Sequence, residues 1–351
     1  SGEQVFFDFR SVAPKAATLA MFVDNQGRES EIAGRGYLAP SVPGTVAGLH
    51  MAHKKFGKLR WVDVVSPAIA LARDGVVLTP DEAFVFGWGK ERLSTSTAAK
   101  AAYYKPDGAL YRAWERLKQP DLAWTLTQIA KRGADGFYKG PVADRFAADM
   151  KANGGLITTE DLAAYRAIER KPLRGTYRGL DIVTAPPASA GGATLLNMLN
   201  IVENFDLKQN GVGAAKSLHI MAEAMKLGYA DRYAVLGDTD FVTTPIKGFI
   251  SKSYALSRAK LIDPDKAKPV AQMGVGDPLK YESPSTTHFS VADAQGNVVS
   301  TTYTLGADFG SGVMIAGTGV LLNNQMNNFS HAQAAKAMRD GLPPPLNAMA
   351  P

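Results

Sequence analysis

Ser283-Pro284-Ser285-Thr286-Thr287-His288-Phe289-Ser290 is the stretch whose reading decides the fold. Its serines and proline mark an exposed loop, and from Thr287 onward Phe289 and Val291 alternate with polar residues, the pattern of a strand. Asp293-Ala294-Gln295-Gly296-Asn297 is a turn signal, and Val298 to Leu305 returns as the hairpin partner. An internal threonine hydroxyl is a poor nucleophile. A threonine at a chain's own N-terminus has a free α-amine beside it, with an ordinary pKa of about 7.7 to 8, that serves as general base. Such a residue belongs at the head of a strand, behind a loop where the chain is cut. Thr286 is therefore the candidate nucleophile, and the Ser285-Thr286 bond the candidate cleavage site. Threonine is common in strands, so the pattern alone leaves an ordinary strand start as the competing reading.

Upstream of this hairpin the periodicity is mostly helical. Val5 to Arg10 reads as a short strand ending at Ala13-Pro14, with Arg10 where strand meets loop. Thr45 to Phe56 and Trp61 to Arg73 read as amphipathic helices, ended by Gly57 and by Asp74-Gly75. Leu122 to Lys131 and Pro141 to Lys151 follow, and Thr158-Thr159-Glu160-Asp161 is a further helix start. Pro172 to Thr184 reads as two strands turning at Tyr177-Arg178-Gly179-Leu180, before helices at Thr194 to Glu203 and Ala214 to Val235. Val320 to Leu322 is one more strand. No repeat or low-complexity segment interrupts this order, and the alternation argues for a layered α/β protein.

The 351 residues suit one large α/β unit or two associated ones. With 46% hydrophobic and 21% charged residues, the chain has the composition of a folded protein. Its net charge of +6, from 39 basic and 33 acidic residues, is scattered and forms no nucleic-acid footprint. The lack of cysteine removes disulfides, thiol catalysis, iron–sulfur clusters and thiolate-bound zinc. No apolar run approaches the ~20 residues of a membrane span; the nearest, Leu195 to Val202, is broken by Asn197 and Asn200. Ser1-Gly2-Glu3-Gln4 is not the start of a signal peptide, so one is either lacking or lies outside this sequence.

The string from Thr286 through Val291, with Asp293, Gly296-Asn297, Thr302-Tyr303-Thr304-Leu305 and Gly319 through Met326, resembles the start of the small subunit of γ-glutamyltransferases. Asp8-Phe9-Arg10, Val42-Pro43-Gly44, Pro67-Ala68-Ile69, Leu71 through Gly75 and Tyr229-Ala230-Asp231-Arg232 resemble their large subunit, in the same order along the chain. The resemblance implies an αββα sandwich of the N-terminal-nucleophile hydrolase type, an α+β fold. It implies a single precursor that cuts itself into a large-subunit part, residues 1–285, and a small-subunit part, residues 286–351, which form a heterodimer. The implied chemistry is cleavage of γ-glutamyl amides through an acyl-enzyme, without metal or organic cofactor, in a bacterial periplasmic or secreted protein. Matching positions imply Thr286 as nucleophile, Thr304 as its hydrogen-bonding support, Arg10 as clamp for the substrate carboxylate and Gln325 as a pocket residue.

The departures fall on substrate-binding positions. Gly306 stands where the family has an asparagine, Asn328 where it has an aspartate, and Asn347-Ala348 where it has a serine pair. Exchanging an aspartate for Asn removes the charge that would pair with an ammonium. An acyl group with a carboxylate and no amine, such as glutaryl, would be less penalised, which resembles the cephalosporin-acylase branch. A catalytically silent, unprocessed homologue is the third reading. The stretch from Asn328 to Asn347 is shorter than in members with a lid, so an open pocket is expected. The glycine pair of the family's oxyanion hole is expected beyond Pro351.

Four other features have plainer readings. Arg10, without the resemblance, is a surface ion-pair partner. His288 with Ser290 and Asp293 invites a triad, but His288 and Ser290 share a strand face with parallel side chains, so a lone strand histidine is expected. Gly237-Asp238-Thr239-Asp240 lacks the further oxygen ligands of a metal loop and reads as a turn. Gly191-Gly192 is not followed by the Lys-Ser/Thr of a phosphate loop, and is expected to permit close packing at a helix start.

Overall fold

The computed structural model describes residues 2–211, 213–269, 272 and 287–340. The chain falls into two units. The larger comprises Phe7–Ile168 with the described residues of Ser283–Ala332, and the smaller the described residues of Ser1–Phe6, Glu169–Glu282 and Gln333–Ala350.

In the larger unit, the helices Thr45–Phe56 and Trp61–Asp74 lie where the periodicity put them. Prolines at the first helical turn open Pro120–Arg132 and Pro141–Ala152, a position where the missing N–H costs nothing. Thr158 and Asp161 form a reciprocal capping box at the start of Thr159–Ala164. A helix at Pro80–Trp88, not anticipated above, begins with a second such box between Thr79 and Glu82. The apolar faces meet in a core of Val42, Ile129, Phe137, Val142, Phe146, Met150, Leu162, Val313, Ile315 and Leu322.

The hairpin read from the sequence is present in this unit. Thr287–Ala292 pairs antiparallel with Val298–Tyr303, from Thr287↔Tyr303 to Ala292↔Val298. Its return strand stops two residues short of Leu305. Asp293 makes the turn: its carboxylate accepts from Gln295 N at 3.0 Å and Asn297 N at 2.9 Å, and from Asn297 Nδ2 at 2.7 Å. The strand Val320–Leu321 pairs with Met314–Ile315, which the sequence reading had not separated from its loop.

The smaller unit contains the second expected hairpin, Leu173–Tyr177 with Leu180–Thr184. Arg178 and Gly179, both with positive φ, form its two-residue turn, the geometry that matches strand twist. The helix after it, Ala190–Val202, starts four residues before the expected Thr194. Gly192 permits the close packing expected at this helix start, since a Cβ there would lie 2.1 Å from Ala185 O. Helices Ala215–Val235 and Lys252–Ala259 both pack on Ala190–Val202, in a cluster of Ile201, Ala224, Leu227, Ala230, Ala255 and Ala259. Between these two helices Arg258 reaches Asp231 at 2.8 Å, and burial pushes the Asp231 carboxyl up even beside that guanidinium.

Candidate active site

Thr304 stands one residue past the end of its strand, exposed, and its Oγ1 accepts the Gly306 N–H at 2.9 Å. That bond bends the chain out of the sheet. Gly306 adopts φ +97°, a region that costs any other residue strain, and a Cβ there would fall 2.0 Å from Asn324 Oδ1. Gly306 therefore serves through its backbone, and the site offers no room for a side chain at that position with Asn324 as it stands.

Asn324 is the residue around which this corner is built. It is buried, its N–H donates to Leu305 O at 2.8 Å, and its Oδ1 accepts from Ala307 N at 2.9 Å. Its Nδ2 donates to Gly34 O at 3.0 Å. The neighbouring Asn323 works the same way on the other side: its Oδ1 accepts from Ser41 N and Gln325 N, each at 3.0 Å, and its Nδ2 donates to Ser41 O at 2.9 Å. Buried amides with their donors and acceptors filled fix a loop in one geometry, because each lost bond would leave a desolvated group unpaired. These two asparagines lie in the quoted family string, yet no role was read for them. The available signal was a polar Asn-Asn pair directly after the apolar run Val320-Leu321-Leu322.

The pair leads into the 3₁₀ turn Gln325–Asn328, whose backbone is anchored by Met326 N to Ala39 O at 3.2 Å. Gln325 is half-buried and Asn328 exposed, and the Asn328 amide donates to Gln325 Oε1. The structure thus brings Thr304, Gly306, Gln325 and Asn328 into one hydrogen-bonded corner, with Asn324 at its centre. The stretch following Asn328 carries a helix, His331–Arg339.

Arg10 is held by a separate set of contacts in the same unit. The first strand is only Phe6–Asp8, because Asp8 Oδ1 accepts the Arg10 N–H at 3.1 Å and turns the chain. The Arg10 carbonyl accepts the Tyr165 hydroxyl at 2.8 Å. Tyr165 is buried and stacked on Tyr138 with centroids 5.5 Å apart, and burial pushes its hydroxyl pKa up, so it remains a donor. Arg10 itself is exposed.

Ser285, Thr286, Asn347 and Ala348 lie outside the described residues. His288 does not, and it is not the lone histidine expected. Its Nδ1 is 2.6 Å from Thr302 Oγ1 and its Nε2 3.0 Å from Ser300 Oγ, so each ring nitrogen meets a hydroxyl across the strand pair. The triad is still ruled out in this structure, because Asp293 is engaged in the turn at the far end of the hairpin. In the Gly237-Asp240 loop, Asp240 accepts from Arg170 at 2.9 Å, an ion pair that also accounts for its lowered pKa. Among the described residues no helix is long and apolar enough to cross a membrane, and no cluster of acidic and histidine side chains could hold a metal ion.

The family model described as Gamma-glutamyltranspeptidase matches residues 1–351. The chain is 46% identical, over 332 residues, to the glutathione hydrolase proenzyme of Escherichia coli (strain K12), covering 94% of this chain and 57% of that protein. It is 39% identical to the Acylase ACY 1 proenzyme of Pseudomonas sp. (strain SE83), over 93% of this chain and 59% of that protein. The chain thus spans less than two thirds of the length of either relative. Among solved structures, γ-glutamyltranspeptidase of Helicobacter pylori superposes with a TM-score of 0.76 at 43% identity, covering 78% of this chain and 80% of that one. Cephalosporin acylase from Bacillus halodurans superposes with a TM-score of 0.83 at 28% identity, covering all of this chain and 62% of that one. The α+β character read from the sequence is shared with these neighbours.

Proposed function

Because the chain belongs to the γ-glutamyltranspeptidase family, we propose that it is the nucleophile-bearing portion of an enzyme that cuts itself between Ser285 and Thr286 and then cleaves γ-glutamyl amides. The observation that carries this reading is the hairpin register. Thr287, next in sequence to the proposed nucleophile, pairs with Tyr303, next in sequence to Thr304. Thr304 Oγ1 accepts the Gly306 N–H at 2.9 Å, which fixes where that hydroxyl sits at the end of the strand pair. In the proposed mechanism the Thr286 hydroxyl attacks the amide carbonyl and its α-amine takes the proton. The amine then delivers that proton to the leaving nitrogen, and water or an amino acid resolves the acyl-enzyme. Thr304 supports the nucleophile, Arg10 clamps the substrate carboxylate, and Gln325 with Asn328 forms a wall of the pocket. No step calls for a metal or an organic cofactor. The two products of the cut, ending at 285 and beginning at 286, stay together as a heterodimer in an exported bacterial protein.

Intact mass of the full-length protein after incubation at neutral pH, beside Thr286→Ala, tests this. The expected result is two pieces, the second beginning at Thr286, and one uncut chain from the variant. An uncut wild type, inactive on γ-glutamyl amides, would overturn it.

A second reading concerns the acyl group. Asn328 and Gln325 form a neutral amide pair, and Gly306 presents no side chain, so none of these three positions offers a charge to a substrate ammonium. That favours an acyl chain without an α-amine, such as glutaryl. The relative kcat/KM for glutaryl and γ-glutamyl amides decides it, and a strong preference for γ-glutamyl removes this second reading while leaving the first.

A further inference from the structure

The segment bearing Gln325 and Asn328 is tied down at both ends against residues 29–41. Its leading end is held by the two buried asparagines. At its trailing end stands His331, a residue with no exposed surface. Its Nδ1 lies 3.1 Å from Glu29 Oε1, and its ring stacks on buried Phe22 with centroids 4.7 Å apart and planes 21° from parallel. A carboxylate oxygen only accepts, so Nδ1 carries the hydrogen and donates it. The other ring nitrogen, Nε2, is buried with no hydrogen-bond partner among the described residues. A phenyl ring would make the same stack without a desolvated nitrogen, so the contact to Glu29 is what an imidazole adds at this position. The Glu29 backbone is itself fixed in a β-bridge with Val23, and Ser30 N donates to Phe22 O at 2.9 Å. His331 is therefore fastened to a braced loop rather than to a free side chain.

We propose that His331 is a positioning residue of the substrate wall: through Glu29 it fixes the trailing end of the Gln325–Asn328 turn, and so sets where those two amides meet the acyl group. This rests on the reading of Gln325 and Asn328 as pocket residues. The His331 ring is buried against Phe22, Phe329 and Glu29, so its loss is expected to act on substrate binding and to spare both the self-cleavage and the chemical step.

The experiment uses the full-length protein and measures three quantities: the extent of self-cleavage by intact mass, and kcat and KM on a chromogenic γ-glutamyl anilide and its glutaryl counterpart. His331→Phe keeps the stack and removes the donor. The expected result is normal self-cleavage, kcat within about twofold of wild type and KM raised roughly five- to tenfold on the preferred substrate, a loss of binding shared by ground and transition states. His331→Asn, whose amide donates from about the place of Nδ1, recovers most of the loss. Glu29→Ala, at the partly exposed end of the pair, reproduces the rise in KM and carries the test if the buried variant does not fold. Unchanged KM in both His331→Phe and Glu29→Ala, or kcat and self-cleavage falling together in both, overturns the inference. A wild type that stays uncut and turns over neither anilide overturns the parent reading and this one with it.

Discussion

The two sides of the candidate site are held in different ways. The Asn323–Asn328 side is fixed by buried amides whose donors and acceptors reach Gly34, Ser41, Leu305 and Ala307. The hairpin Thr287–Tyr303 is held by its own ladder and turn, and Phe289, Val291, Val298 and Val299 are each more than 40% exposed. On the first side each bond lost leaves a group with nowhere to turn, whereas on the second water replaces it. The site is a rigid corner facing an adaptable strand pair, and mutation should separate the two.

The largest effect is expected from Gly306→Ala. The left-handed φ adds about 1 to 3 kcal/mol of strain, and the new methyl displaces the Asn324 side chain, which costs a further 1 to 3 kcal/mol or so for the stranded Ala307 N–H. Denaturant midpoints would read the sum. Asn324→Ala alone is expected to cost only that second part, about 1 to 3 kcal/mol, because Gly34 O keeps Arg92 at 3.0 Å. The two changes should be less than additive in a double-mutant cycle, since both forfeit the same bond. Full additivity would mean that the methyl and the amide do not meet.

The hairpin should respond far less. Phe289→Ala removes an edge-on contact with Tyr303, centroids 6.2 Å apart, and should cost under about 1 kcal/mol. A loss as large as that of Asn324→Ala would erase the contrast between the two sides. Smallest of all is a pH effect at the turn. Hydrogen bonds from the Asn297 side chain and backbone hold the Asp293 carboxyl below its ordinary value of 3.8. A group whose folded pKa is lowered contributes its stability above the unfolded value and loses it as pH falls through the folded one. Amide exchange or chemical shifts of the turn should therefore change below about pH 4, and Asp293→Asn should flatten that change.

This contrast also explains what could be read from sequence. The hairpin was legible because period-two alternation and an Asp-to-Asn turn are local signals, and helices such as Thr45–Phe56 were legible from spacing and a terminal glycine. Arg10 at a strand-loop junction was legible too, though the strand is shorter than expected because Asp8 folds back on it. The corner was not. Asn323 meets Ser41 across 282 positions and Asn324 meets Gly34 across 290, and nothing in the neighbourhood of either asparagine announces a partner so far away. His288 failed for a related reason: strand alternation told which face it takes, but not that Ser300 and Thr302 occupy the same face of the partner strand until the register was known.

The Tyr165 hydroxyl meets Arg10 at its carbonyl, a group common to every amino acid. What anchors this position is indifferent to what the position displays. A single codon change at residue 10 can thus alter the side chain shown at this surface while the peptide beneath it stays in register; under the proposed reading of Arg10 as a carboxylate clamp, specificity can drift without first passing through a misfolded ancestor.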